Sequence, residues 1–221
     1  MKAKLFFIHG FNTTSLNWRQ VIKTCEPSIE VHFHDWDSGY FPENAFLRTN
    51  LNMVQCVFGH TPEIIQSLWD AEDRIDTETD MLVSKINDLC AENELVMLVA
   101  HSMGTKIMRQ AIDRIAIERP DIIIHFMAIA GVENSVNFGC FDTKVQSGVN
   151  VFNPQDNIVE WYEYTEYSDA PIGRYGITHE ENIINVRVNI EHSGYKESNY
   201  FIKLFNSWIE QIVSNPKFSG F

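Results

Sequence analysis

Positive charge is scarce in this chain. Seventeen lysines and arginines stand against 30 aspartates and glutamates, a net charge of −13 over 221 residues. That balance argues against nucleic acid as a partner, because affinity there comes from cations that neutralise phosphates. It argues equally against an anionic membrane surface. No basic cluster of the kind that grips phosphate or coenzyme A is present. The balance suits a soluble enzyme acting on neutral or cationic small molecules. Cysteine is thin as well. Cys25, Cys56, Cys90 and Cys140 are scattered without a CxxC pair, which excludes a disulfide scaffold and any thiolate metal spacing. Free thiols fit a reducing compartment, so a cytoplasmic location is expected. No stretch approaches the ~20 apolar residues of a membrane span. The N-terminal run MKAKLFFIHGFN is too short for a secretory h-region and is cut off at Gly10. No repeat or low-complexity linker divides the chain, so one domain over 1–221 is expected.

Apolar runs and helical stripes alternate along this chain. Strands are expected at Leu5–His9, Ile29–His34, Leu95–Ala100, Ile122–Ala130, Val149–Phe152 and Ile183–Ile190. Several are continuously apolar, as a parallel sheet covered on both faces requires. Between them, Thr105–Glu118 places Ile107, Met108, Ala111, Ile112 and Ile115 on one face, with Arg109, Asp113 and Arg114 elsewhere, and Pro120 stops it. Asp73–Asn93 carries a stripe of Met81, Leu82, Ile86 and Leu89. Ser198–Val213 carries Phe201, Leu204, Phe205, Trp208, Ile209 and Ile212. The expected fold class is α/β, a mostly parallel sheet of about six strands with helices on both faces. Ligands then collect at the carboxyl ends of the strands. The connection 36–69 is too long for a plain loop and is rich in aromatic and apolar residues. Two readings stand: extra helices packed on the core, or a cap over a substrate pocket.

Chemistry concentrates where strands end. Val96–Thr105 reads VMLVAHSMGT, an apolar strand that stops at Ser102 before an amphipathic helix. A serine hydroxyl is a poor nucleophile unless it is exposed and held by a base. A sharp strand-to-helix turn supplies the exposure, and small residues at Ala100 and Gly104 let the two backbones approach. The helix start offers free N–H groups to a developing oxyanion. This stretch resembles the nucleophile elbow of the α/β-hydrolase family, with alanine where the family usually has its first glycine. Leu5–Asn12 (LFFIHGFN) resembles the same family's His-Gly turn. The resemblance implies a serine hydrolase of the esterase or lipase kind, in a compact form that begins at the His-Gly strand without the two leading antiparallel strands. It implies an oxyanion hole from the backbone N–H groups of Phe11 and Met103, with Gly10 allowing the turn. It implies no metal and no organic cofactor.

The implied triad runs Ser, acid, His along the chain. Asp156 follows the strand ending near Asn153 and is the favoured acid, with Asp142, Glu160 and Asp169 as competitors. His192 follows the last strand and is the favoured base, with His179 as the other histidine beyond the acid. His101 is read as a structural neighbour of Ser102, His9 as a hydrogen bonder, and His32 and His34 as a poor zinc pair lacking a third ligand. The expected substrate is a small acyl compound, neutral or apolar, with a carboxylic ester favoured. A thioesterase or acyltransferase would use the same machinery. A catalytically silent binding module is the reading from another class. Oligomeric state is not written in the sequence.

Overall fold

A computed structural model describes residues 3–11, 13–22, 29–39, 61–138, 145–163, 169–178 and 182–216. Six runs rich in branched and aromatic residues form strands β1 (Ala3–Ile8), β2 (Ile29–His34), β3 (Leu95–His101), β4 (Ile123–Ile129), β5 (Val145–Phe152) and β6 (Ile183–Arg187). They make one sheet in the order β2-β1-β3-β4-β5-β6, every pairing parallel. Helices α1 (Arg19–Ile22), α2 (Thr61–Glu72), α3 (Ile75–Leu89), α4 (Gly104–Glu118), α5 (Ser135–Phe138), α6 (Asn157–Glu163), α7 (Ile172–Tyr175) and α8 (Asn199–Ser214) supply the crossovers and the outer layers.

The continuous apolar strands are explained by two cores. Successive residues of a strand point to opposite faces. Phe6, Ile8, Val96, Leu98 and Ala100 enter the core under α3 and α4, beside Leu82, Ile86, Ile107 and Ile112. Leu5, Phe7, Leu95, Met97 and Val99 enter the other, beside Val21 of α1 and Phe201, Phe205, Trp208 and Ile212 of α8. Each fully buried side chain of this size stabilises by ~1.5–3 kcal/mol, so a strand polar on either face would not hold this position. The register aligns Ile8 with Ala100 and Ala100 with Ala128. The turns after β1, β3 and β4 therefore lie side by side. The chain leaves β1 toward β2 and returns on the other side as β3, so the strand order reverses between β1 and β3. Open parallel sheets bind ligands at such a switch point.

The structure corrects several boundaries and faces. β5 begins at Val145 rather than Val149, and β6 ends at Arg187 rather than Ile190. α3 exposes Met81 and Leu89 and buries Ile75, Thr79 and Val83 beside Leu82 and Ile86. Arg109, off the apolar face of α4, is buried too, with its Nε donating to the carbonyl of Asn137. Within 36–69, Trp36 and the α2 residue Leu68 pack into the core. Of the connection 36–69, read as a possible cap, residues 40–60 lie outside the described residues. Of the cysteines, Cys90 is a buried free thiol that burial pushes up to about 11. Cys25, Cys56 and Cys140 lie outside the described residues. Among the described residues no helix is long and apolar enough to cross a membrane.

Candidate active site

The turn after β3 is built under strain. Ser102 has φ of 52°, a left-handed conformation that costs a residue with a Cβ ~1–2 kcal/mol. Its surroundings hold it there. The N–H of Ser102 donates to Ile129 O on β4 at 2.9 Å. Its carbonyl accepts from Thr105 N at 3.0 Å and Thr105 Oγ1 at 2.6 Å. The backbones then approach as closely as the small residues predicted. A Cβ on Gly104 would sit 2.6 Å from His9 O and 2.7 Å from Ile8 O. A Cβ on Gly10 would sit 2.6 Å from Ser102 Cβ. Ala100 is fully buried between Ile8 and Ala128.

Two further loops bring their side chains to Ser102. After β5, Asp156 caps α6: its Oδ1 accepts from the N–H groups of Ile158 and Val159 at 3.0 and 3.1 Å. Its Oδ2 remains for His192 Nδ1, 2.9 Å away. His192, in the loop between β6 and α8, places Nε2 2.9 Å from Ser102 Oγ. Since the carboxylate can only accept, Nδ1 carries the proton and Nε2 is left to accept from the serine hydroxyl. Burial of Asp156 disfavours its ionised form. The His192 ring and the two α6 N–H groups outweigh burial and hold the carboxyl below its ordinary value. Asn153 joins the two loops, with its Nδ2 donating to Ile190 O at 3.0 Å.

His101 and His9 are structural in position. His101 Nε2 donates to the main-chain carbonyl of His192 at 2.9 Å. Burial, followed by the neighbouring His192, depresses His101 to about 3, so the ring is neutral. His9 is buried too; its Nδ1 donates to Gly10 O at 3.0 Å and its Nε2 accepts from Trp36 N at 3.1 Å. Thr13 Oγ1 also donates to Gly10 O, at 2.9 Å. With that carbonyl fixed, the N–H of Phe11 across the same trans peptide points the opposite way. At the start of α4, Thr105 N and Lys106 N turn back to Ser102 O and Met103 O. The N–H of Met103 makes no hydrogen bond among the described residues.

The other candidates lie elsewhere. Glu160 is 3.6 Å from Arg174, and Asp169 is exposed ahead of α7. Asp142 and His179 fall outside the described residues. His32 lies 3.0 Å from Glu30, and His34 lies 3.2 Å from Glu78. Among the described residues no group of three His, Cys, Asp or Glu side chains could hold a metal ion.

Ser102, Met103 and His192 open into a cavity of about 320 Å³. Its apolar lining comes from Phe11, Leu68, Val132, Ile158, Trp161 and Tyr162. Thr13, Asn17, Trp18, His101, Ser193 and Lys196 also line it. None of Trp18, Trp161, Tyr162 and Lys196 stands out in the sequence as a site residue. A signal existed: Trp161 and Tyr162 fall in the helix that Asp156 caps, and Lys196 lies one short turn past His192.

No protein-family model matches this chain, and no curated protein sequence does. Among solved structures it is similar to an esterase from Pyrobaculum calidifontis, with a TM-score of 0.51 at 12% identity, over 98% of this chain and 77% of that one. It also aligns with a structure from Pectobacterium atrosepticum described as a YdeN-like hydrolase, with a TM-score of 0.46 at 12% identity, over 96% and 92% of the two chains. The esterase likeness, taken with the parallel six-stranded sheet, establishes the α/β fold.

Proposed function

We propose that this protein is a serine hydrolase that cleaves a carboxylic ester, or a related acyl bond, through an acyl-enzyme. The observation that carries this reading is the unbroken hydrogen-bonded chain Ser102 Oγ–His192 Nε2–Asp156, with both links at 2.9 Å. Ser102 Oγ attacks the acyl carbon while His192 Nε2 takes its proton. The proton passes from His192 to the leaving alcohol as the tetrahedral intermediate collapses. Water repeats the sequence on the acyl-enzyme, releasing the acid and restoring Ser102. Asp156 keeps Nδ1 protonated and stabilises the imidazolium that forms. The N–H groups of Phe11 and Met103 receive the oxyanion, each such donor being worth ~3 kcal/mol of transition-state stabilisation. The fixed Gly10 carbonyl and the unused Met103 N–H support this assignment. A small acyl substrate suits the cavity's apolar lining. Thioester hydrolysis and acyl transfer share these steps.

The test is covalent. A fluorophosphonate probe is expected to label the folded protein on Ser102 alone, with the adduct mapped by mass spectrometry, and Ser102→Ala is expected to abolish it. Labelling that survives the alanine change would overturn the nucleophile assignment.

A further inference from the structure

Among the described residues Lys196 is a cation without a counter-ion, in a chain that has acids to spare. Several other basic side chains are matched with acids: Lys4 with Glu94, Lys106 with Glu72, Arg119 with Asp121, Arg174 with Glu163. Lys196, partly buried in the short turn Tyr195–Glu197, makes no ion pair or side-chain hydrogen bond among the described residues. It lines the cavity with His192 and Ser193, and no aspartate or glutamate lines that cavity among the described residues. Its charge acts on the ring of His101, behind burial, His192 and the opposing Asp156 in effect. A charge left unpaired in a half-closed cavity attracts an anion there more strongly than one in open water.

We infer that Lys196 selects substrates carrying a carboxylate on the half of the molecule that lies beside Ser193 and Lys196 in the cavity. The inference rests on the hydrolase reading above and names its substrate class: an amphiphilic ester, apolar on one side of the scissile bond and anionic on the other. Net charge governs the whole surface, and this cavity is a local exception to it. The lysine ammonium would donate to the carboxylate in a charge-assisted bond that a neutral amide of the same shape cannot match.

Two pairs of aryl esters test this and locate the charge. In the first, the 4-nitrophenyl monoester of adipic acid is compared with its terminal amide, so the carboxylate is on the acyl side. In the second, the butyrate ester of 4-hydroxybenzoate is compared with that of 4-hydroxybenzamide, so it is on the alcohol side. In one pair the acid is expected to exceed the amide in kcat/KM by about tenfold, through KM. Lys196→Met should bring that ratio near one, and Lys196→Glu should invert it. Because the readout is a ratio on one preparation, loss of folded protein cancels. Equal rates for acid and amide in both pairs, or a ratio that Lys196→Met leaves intact, overturns the inference while Ser102 labelling keeps the hydrolase reading. If neither pair turns over and Ser102 is not labelled, the hydrolase reading fails and the inference with it.

Discussion

His101 holds His192 by its backbone: the ring Nε2 of one donates to the carbonyl of the other at 2.9 Å, and the two ring centroids are 4.9 Å apart. The residue just before Ser102 in sequence thus fixes the loop that brings a histidine to Ser102. His101→Phe keeps the ring and deletes the donor. The expected result is a kcat on a nitrophenyl ester lowered about tenfold at similar KM, with ~1–3 kcal/mol of stability lost to the unpaired carbonyl. His101→Gln, which can restore a donor, should recover part of kcat. An unchanged kcat in His101→Phe would reduce His101 to packing.

Asp156 divides its two oxygens between structure and His192. Asp156→Asn is expected to keep its one oxygen on the α6 cap, because that oxygen satisfies two N–H groups. The amide then faces Nδ1 and forces the opposite tautomer, with Nε2 protonated and unable to accept. The prediction is a kcat lowered roughly 10³–10⁴-fold in a protein of near-normal urea midpoint. Asp156→Ala should add ~1–2 kcal/mol of instability from the lost cap. If Asn and Ala were equally destabilised, the division of labour would be wrong.

The two small-residue positions at the elbow differ in what they tolerate. Gly104→Ala drives a methyl into the backbone oxygens of Ile8 and His9, which cannot swing aside. A cost of ~1–3 kcal/mol is expected, as for overpacked cores. Ala100→Gly removes a methyl and should cost ~1 kcal/mol or less. Urea titration of both variants checks the order, and a more stable Gly104→Ala would contradict the close approach.

Stability should fall on mild acidification. Burial depresses His34 to about 4, His101 to about 3 and His125 to about 4. For His34 the nearby Lys85 and His9 act in the same direction and Asp35 opposes, while for His125 the hydrogen bond to Pro216 O opposes burial. In the unfolded chain these rings titrate near 6.5. Between that value and 3–4 the unfolded state binds protons that the folded state refuses, so folding weakens as pH falls and is insensitive to these groups above it. Burial raises Glu72 and Glu78, which opposes the trend. Three strongly shifted histidines set the net sign. The urea midpoint is expected to drop by a few kcal/mol equivalent from pH 8 to pH 5, and a flat profile would mean these histidines are solvated.

The elements legible from sequence were those whose burial is continuous or strictly periodic. β1, β3 and β4 and the faces of α4 and α8 follow directly from apolar spacing, and the serine, aspartate and histidine that meet were each legible from position past a strand end. The first half of β5 was not. Gln146, Ser147 and Gly148 break its apolar pattern, yet Ser147 is buried by pairing with His125 at 2.7 Å, and Gly148 is small because Phe126 lies against it. Both reasons sit on β4, far along the chain. The face of α3 failed for a related reason. Thr79 is buried because its hydroxyl bonds Ile75 O and Gln110, so a polar residue took the place assigned to Met81. Lys196 was illegible because an unpaired charge is defined by partners that are absent.

The backward twist at Ser102 also restricts which residue that turn can carry. Threonine has the same hydroxyl, but a β-branched side chain is a true outlier at φ of 52°. Cysteine, unbranched at Cβ, fits. The main chain thus screens nucleophiles by shape before their chemistry is tested: selection at this position can trade oxygen for sulfur more easily than it can add one methyl group.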